Sequence, residues 1–248
     1  MKNQDITVYL ADDIDMNLGK AIAQVAHATG AAWLARMKPS QQESNHITLT
    51  LTPSARAALE QNLALAPKIV PVSQQELPTE EEQHIEIIDA GKTIFERPTK
   101  TCVAVSTVLG DALPDSQRLL FNDDVINYKQ AFFINRKLIT TLALSDQQIM
   151  SLFAKASLAI ILEPVTDGRL NLNISEPLYQ WITSAFGKTV VGTKKVSKLL
   201  EVSALLNEDH IHYRRVYFND YCLGYCTQPI DAKVIHKYTK YKTFNLLS

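Results

Sequence analysis

Residues 5–33, DITVYLADDIDMNLGKAIAQVAHATGAAW, decide the fold class. DITVYLA (5–11) is rich in β-formers and runs into the turn-prone Asp12, Asp13, Ile14 and Asp15, so it reads as a strand entering a loop. Asn17 then offers a helix N-cap, and Ile22, Val25, Ala26, Thr29 and Trp33 recur at helical spacing until Pro39 ends the segment.

HITLTLT (46–52) alternates apolar and polar residues as a half-buried strand does, and PSARAALEQNLALA (53–66) reads as a helix with Pro53 in its first turn. Three prolines and the run Glu80, Glu81, Glu82 make 67–83 an exposed connection. HIEIIDA (84–90) and KTCVAVS (100–106) are two further strands. This order predicts an α/β domain over 1–110, a small mixed β-sheet covered by helices.

Two Asp-rich clusters and Pro114 mark 111–127 as a linker, leaving 128–248 as a second, α+β domain. There QAFFINRKLITTLAL (130–144) suits a strand or a helix start. Ser145 to Gln148 form a capping box for a helix to about Ala159. Helices are expected at 175–186 and 194–206, capped by Ser175 and Thr193, and strands at 211–218 and 158–163. No internal repeat emerges from the sequence.

With 46% hydrophobic and 21% charged residues, the 248-residue chain can bury a core, and disorder is not expected. Its net charge of −1 divides unevenly: residues 1–110 carry 9 Lys/Arg against 13 Asp/Glu, and residues 111–248 carry 16 against 13, so the second part meets an anion more readily. No apolar run approaches the ~20 residues of a membrane span, and the N-terminus lacks a signal-peptide core, which points to the cytoplasm. Three cysteines are too few and too unevenly placed for a disulfide framework.

Two motifs carry chemistry. NLGKAIAQVAHATG (17–30) sets Gly19 and Lys20 where a helix start leaves backbone N–H groups unpaired, an anion site, with Gln24 and His27 along the same face. In DAGKTIFERPTKTCVAV (89–105), Asp89 ends a strand, Gly91 permits a sharp turn beside Lys92, and Thr93 and Thr101 flank the loop. A strand-end carboxylate can hold or deprotonate water, and threonine hydroxyls can donate to a carbonyl oxygen. Each motif alone also has an ordinary reading, a solvated lysine with a packed histidine in one case and an Asp-Ala-Gly turn in the other.

Together, GKAIAQVAHA (19–28), DAGKT (89–93) and the threonine twelve residues after Asp89 resemble the second class of peptidyl-tRNA hydrolases, whose helix reads GKxAAQxxHA and whose later loop reads DAGRT. The resemblance implies a four-stranded mixed sheet and hydrolysis of the ester between a peptide and the terminal ribose of tRNA, with neither cofactor nor metal. It assigns the chemistry to Lys20, Asp89, Thr93 and Thr101, and substrate contacts to Gly19, Gln24, His27, Gly91 and Lys92. Asp89 would orient or activate water, the threonines would polarise the ester carbonyl or align that water, and Lys20 would stabilise negative charge. The expected partner is tRNA carrying an acyl or peptidyl group, and homodimerisation is left open.

The sequence departs from the family pattern at Leu10 and Leu18, where arginine and lysine are usual, at Lys92 in place of arginine, and in the loop IFERPTK (94–100). Lost phosphate contacts weaken nucleic-acid binding, so two alternatives stand beside the hydrolase: a non-catalytic RNA- or protein-binding module, and a hydrolase of a different acyl substrate. In the C-terminal part, Lys194, Lys195, Lys198, Arg214, Arg215, Lys233, Lys237, Lys240 and Lys242 interleave with Tyr213, Tyr217, Tyr221, Tyr225, Tyr238 and Tyr241. That mixture suits an RNA surface as well as an ordinary solvated one. His210, His212, Cys222 and Cys226 have a spacing too loose to specify a zinc site.

Overall fold

A computed structural model describes residues 6–43, 46–61, 66–79, 84–91, 94–119, 125–173, 176–240 and 244–247. The chain opens with β1 (Thr7–Ala11), α1 (Leu18–Leu34), β2 (Met37–Glu43), β3 (His46–Leu51), α2 (Pro53–Glu60), β4 (Lys68–Val72), β5 (His84–Asp89) and β6 (Thr99–Val105). It continues with β7 (Tyr128–Asn135), α3 (Arg136–Thr141), α4 (Asp146–Leu162), β8 (Val165–Thr166), β9 (Arg169–Asn173), α5 (Pro177–Ile182) and β10 (Gly187–Thr193). Then follow α6 (Val196–Glu208), β11 (Tyr213–Phe218), β12 (Tyr221–Thr227), β13 (Ile230–Asp231), α7 (His236–Thr239) and β14 (Asn245–Leu246). The fold is mixed α/β, and no helix among the described residues is long and apolar enough to cross a membrane.

Several elements differ from the sequence reading. The first helix stops at Leu34, and Pro39 lies inside β2, an edge strand whose register slips between Pro39 and Gln41, a place where a missing N–H is tolerated. The connection read at 67–83 contains β4, which pairs in parallel with β1; its five residues include Pro71 and lack the alternation of a half-exposed strand. Residues 158–162, read as a strand, complete α4, because an apolar run this short fits either a buried helix end or a strand. The 130–144 stretch divides into the end of β7 and α3. Lys195 precedes α6, with Thr193 Oγ1 accepting from its N–H at 3.2 Å, while Ser175 lies outside the described residues.

The sheets reveal a repeat that the sequence conceals. The first four-stranded sheet has the order β4-β1-β6-β5, with β1 parallel to β4 and antiparallel to β6, and β6 antiparallel to β5. In the second, β10-β7-β12-β11 repeats these relations strand for strand. Even the irregularity recurs: the β5/β6 register slips between Ile87 and Ile88, skipping Thr101, and the β11/β12 register slips between Val216 and Tyr217, skipping Leu223. Each first strand leads to a 17-residue helix, α1 or α4, whose N-cap side chain (Asn17 or Ser145) accepts from the third helical N–H (Lys20 or Gln148). A third sheet, β2-β3-β9-β8, joins the copies, with Thr48 opposite Asn171 and a side-chain hydrogen bond of 3.0 Å between them.

The copies share one core. α1 and α4 pack together, and the apolar inner faces of both sheets, including Val8, Leu10 and Cys102 in the first and Phe132, Ile134 and Leu223 in the second, belong to one continuous buried cluster. Residues on both sides of 111–127 therefore exclude water jointly, each large apolar side chain contributing about 1.5–3 kcal/mol. On the far face of the second sheet, Leu199, Val202 and Leu206 of α6, Ile235 just before α7 and Tyr238 within it cover Phe133, Val191 and Tyr225.

Candidate active site

At the start of α1, Asn17 adopts an extended conformation and its Oδ1 accepts from Lys20 N at 2.9 Å, which fixes where the helix begins. Gly19 has no room for a side chain, since a Cβ there would lie 2.5 Å from the Leu247 carbonyl oxygen. Its N–H, read from sequence as open to an anion, donates instead to that same oxygen at 3.1 Å. Gly19 thus serves the docking of the 245–247 segment, which pairs with β10 through β14.

Next to Gly19, Lys20 forms an ion pair with Asp89, the last residue of β5; the two side chains are 15% and 10% exposed. Gln24 Nε2 donates to Asp89 Oδ2 at 2.9 Å. Thr101 Oγ1 lies 3.2 Å from both Gln24 Oε1 and the Ile87 carbonyl oxygen, so its single proton is shared between two acceptors. The skipped position of Thr101 in the β5/β6 register accompanies this inward placement, under α1. Asp89 Oδ1 accepts from Gly91 N at 3.0 Å, and Gly91, at φ +75°, follows a turn that a side chain would obstruct at 2.5 Å from Arg97.

Lys20, Gln24, Asp89 and Thr101, taken from a helix and two strands, therefore form one connected polar group, with Gly91 at its edge. Thr101 is fully buried, and its hydroxyl is engaged by Gln24 and the Ile87 carbonyl. Lys92 and Thr93 lie outside the described residues. Leu10 is buried in the core and Leu18 packs against it, so both stand as apolar packing residues where the family pattern has cations.

His27 occupies the same helix two turns beyond Lys20 but faces the second copy. Its ring meets Phe186 edge-on at 5.0 Å, and its pKa is held well below 6.5 by burial, with Lys188 and then Lys20 adding to the effect. The Lys188 ammonium donates to the Phe186 carbonyl at 3.0 Å and sits 3.6 Å from the Phe186 ring centre and 4.8 Å from that of Trp181. Burial lowers its pKa well below 10.5. No motif around GKTVVGT (187–193) marks Lys188 as a neighbour of His27; only the packing of α1 against β10 brings them together.

No family model and no curated protein matches this chain. The internal twin supplies a comparison of its own. Matching helix starts and strand slips places Gln148 where the first copy has Lys20, Leu152 where it has Gln24, Leu223 where it has Thr101, and Phe218 where it has Asp89. Every polar member of the group is replaced by a neutral or apolar residue, with Leu223 fully buried and Phe218 packed against the core. The connected charge and hydrogen bonds of the first site are therefore not a requirement of the fold, because the same topology closes without them.

Elsewhere, His212 Nε2 stands 2.9 Å from Glu163 Oε2, and Cys226 is buried, where loss of solvation pushes its thiol pKa up. Among the described residues, no group of three or more His, Cys, Asp or Glu is arranged to hold a metal ion.

Proposed function

We propose that the protein hydrolyses the ester bond of peptidyl-tRNA or of a related aminoacyl-tRNA ester at the Lys20–Gln24–Asp89–Thr101 centre. The observation that carries this reading is the convergence of these four residues in one hydrogen-bonded group in the first copy, against its replacement by Gln148, Leu152, Phe218 and Leu223 in the second. The Lys20 ammonium supplies the counter-charge of Asp89, and a glutamine held by a buried threonine donates a further hydrogen bond that fixes its direction, which suits a carboxylate that must present one lone pair to a water. In the reaction, a water held at Asp89 attacks the ester carbonyl, Asp89 receives its proton, and the Lys20 ammonium stabilises the developing oxyanion. As the ester C–O bond breaks, Asp89 returns that proton to the departing ribose oxygen and is a carboxylate again.

A binding module without turnover is the second reading, favoured by Leu10 and Leu18, apolar packing residues where the family pattern has cations. Cleavage of a defined peptidyl-tRNA by the purified full chain, beside Asp89→Asn and Lys20→Ala, separates the two. Turnover by the parent that is lost in both variants supports the hydrolase; absence of turnover in a folded parent that still binds tRNA supports the module.

A further inference from the structure

The two copies also differ in chemistry along their outer edge strands. β5 and β11 are the terminal strands of their sheets, and the matched registers set His84, Glu86 and Ile88 of the first against Tyr213, Arg215 and Tyr217 of the second. Glu86 is paired with Lys100 at 2.5 Å, so the first edge carries its own counter-ion. On β11, Val216 turns inward and is buried, while Arg215 and Tyr217 are exposed, Tyr217 by 46%. Tyr213 is held edge-on against Tyr225 with ring centres 5.1 Å apart. Tyr217 and Tyr213 flank the Arg215 side chain, and among the described residues no carboxylate pairs with it.

A groove of about 480 Å³ runs along this edge, lined by Asn207, His212, Arg214 and the Tyr213, Arg215, Tyr217 row. Glu163, beside it, is shared between Arg214 at 3.3 Å and His212 at 2.9 Å, and the neighbours of Arg215 are the neutral hydroxyls of Tyr217 and Tyr213. Alternate residues of a strand stand about 6.6 Å apart, a step that an extended chain of nucleotides can follow. Guanidinium groups bind phosphate oxygens, and tyrosine rings stack on unpaired bases.

We propose that the β11 edge binds single-stranded RNA, with Arg215 contacting a phosphate and Tyr217 stacking on a base. The choice of RNA rests on the tRNA-ester reading above; the chemistry of the groove does not. An added peptide strand is the competing occupant of any open sheet edge. Here the slip at Val216/Tyr217 and two adjacent arginines work against it, since bulges and charges are what protect edges from strand pairing.

The test uses the full chain carrying Asp89→Asn, a short labelled single-stranded RNA, and fluorescence anisotropy over a range of NaCl concentrations. Arg215→Ala and Tyr217→Ala should each weaken binding by about fivefold or more. Arg215→Ala should also flatten the slope of log affinity against log salt by about 0.7, the effect of one lost phosphate on a single strand. Lys137→Ala, which removes an exposed cation from α3, should change neither. Equal binding by parent and both edge variants overturns the proposal, as does a folded parent that takes an extended peptide at this edge and no RNA. Ester turnover is measured separately with Asp89 intact: its absence beside edge-dependent RNA binding removes the hydrolase reading alone, and its presence without such binding removes the edge alone.

Discussion

Gln24 divides its side-chain amide between two elements, with Nε2 donating to Asp89 Oδ2 at 2.9 Å and Oε1 accepting from Thr101 Oγ1 at 3.2 Å. The threonine therefore fixes which end of the amide faces the carboxylate. Thr101→Val keeps the shape and removes that bond, so ester turnover should fall by about tenfold in kcat with KM nearly unchanged, the loss expected from one hydrogen bond of ~1.4 kcal/mol. Thr101→Ser should restore it; a valine variant as active as the parent would dismiss the positioning role.

Gln24→Leu copies what the second half carries at Leu152. In the first half it leaves Asp89 to Lys20 and Gly91 N and Thr101 to the Ile87 carbonyl, and unfolding in urea should show a loss of about 1–3 kcal/mol, the worth of the charge-assisted bond to Asp89 and the neutral one to Thr101. A stability equal to the parent would mean that these groups find other partners.

Gly19→Ala tests the docking of the 245–247 segment. The new methyl carbon meets the Leu247 carbonyl at 2.5 Å, so either that segment shifts or α1 does, and overpacking of this kind costs about 1–3 kcal/mol. The urea midpoint should drop, and amide exchange at residue 19 should accelerate as its bond to Leu247 opens.

His27 predicts a pH dependence of stability. Its folded pKa lies well below 6.5, so the unfolded chain binds the proton first and folding loses free energy as pH falls from about 6.5 towards the folded value. Above pH 7 both states are neutral and the contribution is level. The urea midpoint measured between pH 5 and 8 should follow that course, and His27→Gln should remove the part of the decline that belongs to this residue.

Much of the first half was legible because its signals are local. Asn17 as a cap, the alternation of His46 to Leu51, and the glycine after Asp89 each act within a few residues of themselves. β4 escaped because a parallel strand is defined by its partner, β1, and Pro71 disguised it. The resemblance assigns chemistry to Lys20, Asp89, Thr93 and Thr101 and a substrate contact to Gln24, yet the position of Thr101 in a register slip, facing Gln24, exists only once β5 and β6 pair. The repeat stayed hidden for the same reason. The helices that correspond read AIAQVAHAT and IMSLFAKAS, which share size and apolar character more than identity, and the equivalence is carried by strand order and matching slips. Lys188 near His27 is a contact between copies, beyond any local pattern.

The seam between β3 and β9 makes the two copies inseparable: cutting the chain there would bare a sheet edge and the apolar flank of α1 together. In a symmetric pair of separate chains, every substitution appears twice, and a surface altered on one partner is altered on the other. Joining both copies in one chain lifts that constraint. One half can keep a charged, hydrogen-bonded centre while the other trades its equivalent for hydrophobic filling and carries arginine and tyrosine on its outer edge.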